Sequence, residues 1–260
     1  MNTTEDQVNH RSKRIINGNR INISKVPYQV AILWRSYLVC GGSIIAPIWI
    51  LTAGHCLHDH PTTEMKVRAG SDRRHIGGIM RHVRWTSIHP QYTPKNLLND
   101  VAMILLDASL IMTQDVMCIK LPPSGSFPAT GKRALVSGWG MKDANSDKGN
   151  PSSFSTLLMF TYLPIMDFGT CRHNYKKFKM SQNSQICAGY PQGGTDACTG
   201  DSGGPLALEQ YQVGVVSWGV SCAKPKQPGV FTNVGTFREW IDQTTHKFTR
   251  PGALKCSRYY

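Results

Sequence analysis

From about Tyr28 onward, short apolar and β-branched runs alternate with turn residues. The runs cover residues 28–34, 42–51, 65–69, 101–106, 134–136, 212–218 and 229–234, with Gly, Pro, Asn and Asp between them. Runs this short and this closely spaced predict strands of an all-β sandwich or barrel. Helix is predicted in one place, residues 236–246, where Phe237, Trp240 and Ile241 share a face at i, i+3, i+4 spacing. The longest apolar stretches, such as residues 44–51, are far shorter than the roughly 18–20 residues of a membrane helix, and this one contains Pro47, so the chain reads as soluble. Polar segments at 143–153 and 121–130 read as connections. A boundary near residue 122 gives two halves of ordinary domain size, with a site expected between them.

With 260 residues and 40% hydrophobic content the chain can bury a full core. Gly and Pro number 24 and 15, too few for a low-complexity chain, and no internal repeat of about 20–50 residues is visible. The net charge of +13 attracts anionic partners at long range and leaves a polyanion open as a ligand. Lys and Arg are spread along the chain without a zinc-finger, helix-turn-helix or RRM pattern, so no specific nucleic-acid partner is expected. Eight cysteines without paired zinc-ribbon spacing predict disulfides, an oxidising compartment and therefore secretion. Met1 to Asp6 carry no apolar signal core, and the reading is of a secreted protein written without its leader. Sequons at Asn2 and Asn22 fit that route weakly.

The strongest local signal is Gly200-Asp201-Ser202-Gly203-Gly204-Pro205. Glycines on both sides of a serine let backbone approach a substrate and let successive N–H groups point one way, as an oxyanion hole requires. The segment alone reads equally as the nucleophile elbow of an α/β-hydrolase or as a glycine-rich loop with an ordinary serine. The hydrolase order of serine, acid, histidine is not met, because only His246, in the terminal helix, follows Ser202. Upstream, Thr52-Ala53-Gly54-His55-Cys56 brings a histidine to the end of an apolar strand, and Asn99-Asp100-Val101-Ala102 opens another apolar strand with a carboxylate. His55 suits a general base and Asp100 the buried acid that orients it.

TAGHC, DVAMILL, GDSGGP and the following SWG, in that order, resemble the trypsin-like serine proteases of the chymotrypsin fold, over residues from about 14 to 246. The resemblance implies an all-β fold of two Greek-key six-stranded β-barrels packed together with a C-terminal helix. It implies barrels at about 15–121 and 122–235, a helix at about 236–247, a propeptide at 1–14 and a C-terminal extension at 249–260. Ser202 is then the nucleophile, His55 the base, Asp100 the orienter, and the N–H groups of Gly200 and Ser202 the oxyanion hole. Ser217 matches the serine that hydrogen-bonds the buried aspartate, and Trp218 and Gly219 the edge that pairs with substrate backbone. Asp196 matches the pocket carboxylate of the trypsin branch, with Gly219 and Gly229 keeping the pocket open, so Arg or Lys is the expected residue before the cut. Tyr175, four after Cys171, agrees with that placement.

Arg11-Ser12-Lys13-Arg14 precedes Ile15-Ile16-Asn17-Gly18, which resembles the start of mature enzymes in the family. Cleavage after Arg14 is expected to free Ile15, whose ammonium pairs with Asp201; the activating protease, furin-like or trypsin-like, stays open. By the same resemblance Cys40 pairs with Cys56, Cys171 with Cys187 and Cys198 with Cys222. Cys118 and Cys256 remain, either joined to each other, the favoured reading, or linked to a second chain. A monomer acting on proteins or peptides, bound by protein protease inhibitors and needing no cofactor or metal, is implied. Residues 70–75 depart from the family's acidic calcium loop: with Arg73, Arg74, Arg81, His82 and Arg84 this stretch reads as a solvated basic face or an anion-binding exosite. The run from His55 to His60 offers nominal zinc ligands, but His55 and Cys56 already have roles. A rival reading is a protease-fold binding protein without catalysis. Digestive and cascade roles share this chemistry and are not separated.

Overall fold

The computed structural model describes residues 15, 18–58, 60–141, 143, 145–147, 150–248 and 256. Thirteen strands and three α-helices are formed within them: β1 Asn19–Arg20, β2 Gln29–Trp34, β3 Tyr37–Ala46, β4 Trp49–Thr52, α1 Gly54–His58, β5 Met65–Ala69, β6 Ile79–Ile88 and β7 Ala102–Leu106 in the first half. The second half holds β8 Arg133–Gly138, β9 Met159–Pro164, α2 Phe168–Asn174, β10 Gln185–Ala188, β11 Pro205–Leu208, β12 Tyr211–Trp218, β13 Gly229–Asn233 and α3 Val234–His246.

The first half closes into a six-stranded barrel in the order β2-β3-β4-β7-β6-β5. Its β2–β3 hairpin turns on Arg35 and Ser36, both at positive φ (48° and 73°), the conformation whose twist matches the flanking strands. The apolar run at 42–51 is two strands, not one. Ala46 pairs with Trp49, so Pro47 and Ile48 make the turn, where a residue without an N–H removes nothing from the ladder. Its buried core cluster includes Ile32, Ile44, Ile50, Leu51, Val67, Met103 and Ile104.

The second half is a seven-stranded sheet, β1-β9-β8-β11-β12-β13-β10, with β1 added at one edge beside β9. A bridge between Ile165 and Ala188 joins the two ends of its β8–β13 portion. Numbered from its own first strand, that portion runs 1-2-3-6-5-4 around the ring, the same order as the first barrel. The expected all-β fold of two six-stranded barrels with a C-terminal helix is thus formed: the first is a closed barrel, and the second is closed by one bridge and carries β1 as an extra strand. Ala134, Val136, Leu163, Leu206 and Phe231 fill it.

Helix is more frequent than the pattern predicted, with α1 and α2 added to α3. Phe237 and Ile241 of α3 are buried. Arg238 of α3 clamps the connection between the halves, donating from its guanidinium to the carbonyls of Leu121 (3.2 Å) and Pro122 (3.0 Å). Four disulfides join Cys40–Cys56, Cys118–Cys256, Cys171–Cys187 and Cys198–Cys222.

The basic stretch after β5 is not uniformly a surface. Arg74 is 4% exposed and spends its guanidinium on the carbonyls of Ser155 (2.9 Å) and Pro151 (2.7 Å). Arg68 donates to the carbonyls of His75 and Gly77, and Arg20 pairs with Asp72 at 2.9 Å. Arg74 is thereby removed from any anion-binding face, while Arg73, His82 and Arg84 remain exposed.

Candidate active site

β4 ends at Thr52, and the small residues Ala53 and Gly54 let the chain turn at once into α1, which carries His55. Space is tight there: a Cβ on Gly54 would lie 3.2 Å from Asp100 Oδ1. Asp100 stands just ahead of β7, after Leu97 and Asn99 bend the chain at positive φ (49° and 54°). Its carboxylate is fully buried. Oδ1 accepts from the His55 backbone N–H (2.9 Å), and Oδ2 lies 2.8 Å from His55 Nδ1 and accepts from Ser217 Oγ (2.6 Å). Thr232 Oγ1 donates to the Asp100 carbonyl at 2.7 Å. Asp100 thus comes from the first barrel and is held by hydroxyls from β12 and β13 of the second. This arrangement fixes the proton on Nδ1, so that the acceptor lone pair of the neutral imidazole is on Nε2.

Ser202 sits on the turn into β11, between Gly200 and Gly203 at φ +94° and +76°. Gly203 must be glycine, since a Cβ would run into Thr52 Oγ1, the Gly41 carbonyl and Cys56 Sγ. The turn is sewn to both barrels: Gly41 N–H donates to the Ser202 carbonyl (2.7 Å) and Gly203 N–H to the Val216 carbonyl (2.8 Å). The turn at Ser202 and Gly203 is thereby held close to the Cys40–Cys56 disulfide, and Cys56 Sγ lies 3.8 Å from His55 Nε2. The N–H groups of Gly200 and Ser202 donate to no acceptor among the described residues.

Ser202 lines a cavity of about 220 Å³ together with Asp196, Ser217, Trp218, Gly219 and Gly229. Asp196 is 4% exposed; Oδ1 accepts from Ala197 N–H (2.8 Å) and Oδ2 from Ala223 N–H (3.2 Å). Burial pushes its pKa up to about 7, against the pull of those two N–H groups. A Cβ on Gly219 meets nothing within 4 Å, whereas one on Gly229 would stand 3.1 Å from Asp196 Oδ1. The Cys198–Cys222 disulfide ties the two walls. Tyr175 donates its hydroxyl to the Pro228 carbonyl (2.6 Å), fixing the wall next to Gly229.

Asp201, beside the serine, points the other way and is fully buried. It accepts from Gly140 N–H (2.8 Å) and Cys198 N–H (3.0 Å), and burial lifts its pKa to about 6. Gly138 and Gly140 are glycines because a Cβ at either would strike this carboxylate. Among the described residues no cation pairs with it. Ile15 is fully buried, at φ +44°. Arg14, Ile16, Asn17, the rest of the segment 1–14 and the extension 249–260, apart from Cys256, lie outside the described residues, as does Asp59.

Sulfur atoms of Cys40 and Cys56 and a ring nitrogen of His55 lie within 4.8 Å of one another, but both sulfurs are spent in their disulfide. Sequence reasoning missed Thr232 and the pair Gly138 and Gly140, which act over long range. The glycines flanking Trp139 were the one available signal for a seat that admits no side chain.

The family model described as Trypsin matches residues 15–241. A vitellin-degrading protease of Bombyx mori is 34% identical over 230 residues, 88% of this chain and 85% of its own length. A trypsin of Phaedon cochleariae is 34% identical over 234 residues, 89% and 88% of the two chains. Trypsin Blo t 3 of Blomia tropicalis is 37% identical over 230 residues, 87% and 84%.

Proposed function

The chain belongs to the trypsin family of serine proteases, and from that premise we propose that it is a secreted endopeptidase that cuts after Arg or Lys once cleavage behind Arg14 has activated it. The observation that carries this reading is one cavity lined both by Ser202 and by the buried Asp196 carboxylate. A long cationic side chain entering it meets the one anion on its wall, and the carbonyl that follows comes to the serine.

His55 Nε2 takes the proton from Ser202 Oγ as Oγ attacks the peptide carbonyl. Asp100 holds Nδ1–H and stabilises the imidazolium, while Ser217 and the His55 N–H keep the carboxylate oriented. The N–H groups of Gly200 and Ser202 receive the oxyanion, each worth about 3 kcal/mol in the transition state. His55 then protonates the leaving amine, and water, deprotonated by the same imidazole, releases the acyl group from Ser202. No cofactor or metal enters these steps.

Before cleavage Asp201 is a buried carboxylate with no cation paired to it among the described residues, a costly arrangement. A new ammonium on Ile15 relieves it by pairing with Asp201, and the neighbouring N–H groups of Gly200 and Ser202 are then held in place. Protein substrates and protein protease inhibitors are its partners.

Hydrolysis of matched Arg, Lys, Phe and Ala chromogenic esters, before and after cleavage at Arg14, tests the reading. Turnover of the Arg and Lys esters appears only after cleavage and vanishes in Ser202→Ala. A correctly cleaved, folded sample that hydrolyses none of them refutes it.

A further inference from the structure

Trp218 borders a second cavity besides the one lined by Asp196. This cleft, of about 550 Å³, is completed by Lys95, Asn96, Leu97, Lys177, Phe178 and Lys179. Three ammonium groups rim it, and none of its lining residues is acidic. Its floor is aromatic, with the Phe178 and Trp218 ring centroids 5.5 Å apart.

Both walls are anchored. Lys177, Phe178 and Lys179 ride on the segment enclosed by the Cys171–Cys187 disulfide, where Phe178 N–H donates to the Tyr175 carbonyl (2.8 Å) and Trp218 packs on Tyr175 at 5.0 Å. Leu97 faces them from the bend that leads to Asp100, its carbonyl accepting from Gln185 Nε2 at 3.4 Å. A peptide paired antiparallel with the edge that continues β12 past Ser217 runs past Trp218 and Gly219 with the residues that precede its cut. The second to fourth residues upstream of the scissile bond therefore pass the cleft.

We propose that this cleft selects substrates with Asp or Glu upstream of the cut and rejects basic ones, and that the rejection keeps the chain from activating itself. The proposal rests on the Arg/Lys reading of the neighbouring pocket. An acidic side chain lays its methylenes on the aromatic floor and its carboxylate among the ammonium groups. The activation segment has the opposite character: in Arg11-Ser12-Lys13-Arg14 the second and fourth residues from the cut are basic. The pocket accepts Arg14, but the cleft repels Lys13 and Arg11. Activation then falls to another protease whose own cleft tolerates a basic segment.

The test uses enzyme activated by cleavage after Arg14 and internally quenched peptides with Arg before the cut and Glu, Ala or Lys at the second to fourth positions upstream. The expected order of kcat/KM is Glu, Ala, Lys, with about a tenfold span at low salt that shrinks to about twofold in 0.5 M salt. In Lys177→Glu/Lys179→Glu the order inverts; ratios within one enzyme are read, so a change in overall activity does not enter. The full chain carrying Ser202→Ala, unable to cut itself, serves as the second substrate. Its cleavage after Arg14 by the active enzyme rises about fivefold when Arg11→Glu and Lys13→Glu are added. Equal rates for the three peptides, Lys cut fastest, ratios unmoved by the lysine substitutions, or a precursor indifferent to Arg11 and Lys13 each overturn the proposal. Failure of the pocket reading looks different: no Arg peptide is cut whatever lies upstream, while the Phe or Ala ester is. The self-protection argument then falls, and the same upstream series around the residue actually cleaved decides the cleft's selectivity.

Discussion

Asp201 gives the uncleaved chain a pH dependence of unusual sign. Burial raises its carboxyl from 3.8 to about 6, with the Cys198 and Gly140 N–H groups offsetting only part of the cost. Between those values the folded chain keeps a proton that the unfolded chain has released, so stability falls as pH rises. The penalty is absent below about pH 4 and complete above about pH 6. Two pKa units correspond to about 3 kcal/mol. Asp201→Asn abolishes the titration but leaves one of the two N–H donors facing an amide NH2, a loss of about 1–3 kcal/mol that does not vary with pH. The signature is therefore a slope rather than an offset. In full-length Ser202→Ala protein with its disulfides intact, urea unfolding from pH 4 to 6.5 should show stability falling about 3 kcal/mol further than in the same chain with Asp201→Asn. Asp196 titrates in an overlapping window, up to about 7, but is common to both chains. Its coupling to Asp201 is the smallest influence on it, so it nearly cancels from the difference. Parallel curves would refute the claim that burial raises the Asp201 carboxyl before cleavage. In the cleaved protein the excess slope should disappear, because the Ile15 ammonium pulls Asp201 back down. The pair's contribution is then lost at alkaline pH, as the raised α-amino group titrates above its ordinary value of about 8.

Ser217→Ala removes a 2.6 Å hydrogen bond to Asp100 and should lower kcat/KM about tenfold while leaving the KM of an Arg ester nearly unchanged, read by steady-state kinetics. The Asp196 carboxyl, held near 7 by burial, must ionise to receive a guanidinium, so the ratio of Arg-ester to Ala-ester kcat/KM should fall about tenfold per pH unit below 7. A flat ratio would place the cationic selectivity elsewhere. Arg74→Ala strands the carbonyls of Ser155 and Pro151 that its guanidinium now serves and should cost about 2–4 kcal/mol in urea unfolding, whereas Arg73→Ala, at an exposed position, should cost under about 0.5.

His55 and Asp100 were legible because each stands at the end or start of an apolar run, and Ser202 because glycines stand on both sides of it. The Cys198–Asp201–Ser202 neighbourhood was legible for the same reason, crowded as it is with glycine. The strand β6 was not, because Arg81, His82 and Arg84 break its apolar pattern; one face of that strand meets solvent, and the basic residues read as a surface patch. β11 was hidden inside the serine motif, since Pro205–Leu208 follows it without a turn. The repeated 1-2-3-6-5-4 strand order leaves no trace as a sequence repeat, because a barrel needs only inward apolar positions and places no demand on which apolar residue fills them. Arg74 shows the limit most plainly: nothing local distinguishes it from Arg73, and its burial is decided by carbonyls about eighty residues away.

The site also depends on how one barrel is held against the other. An apolar cluster crosses between them, with Ala31 and Leu33 of β2 grouped with Trp139 and Leu158 of the second half, but apolar contact is non-directional and fixes register weakly. Buried polar pairs cross between the halves as well: Ser43 Oγ donates to Gln212 Oε1 and Ser137 Oγ to Gln29 Oε1, both at 2.6 Å, and all four residues are fully buried. Ser217 and Thr232 on Asp100 belong to the same set. Each is directional and costly to leave unmade in a dry interface, so a slip of one barrel by a single residue would strand several at once. The line of atoms from Ser217 through Asp100 to His55 is thus a continuation of the polar seam that aligns the two halves, which is why the same buried hydroxyls both orient the imidazole and fix the fold around it.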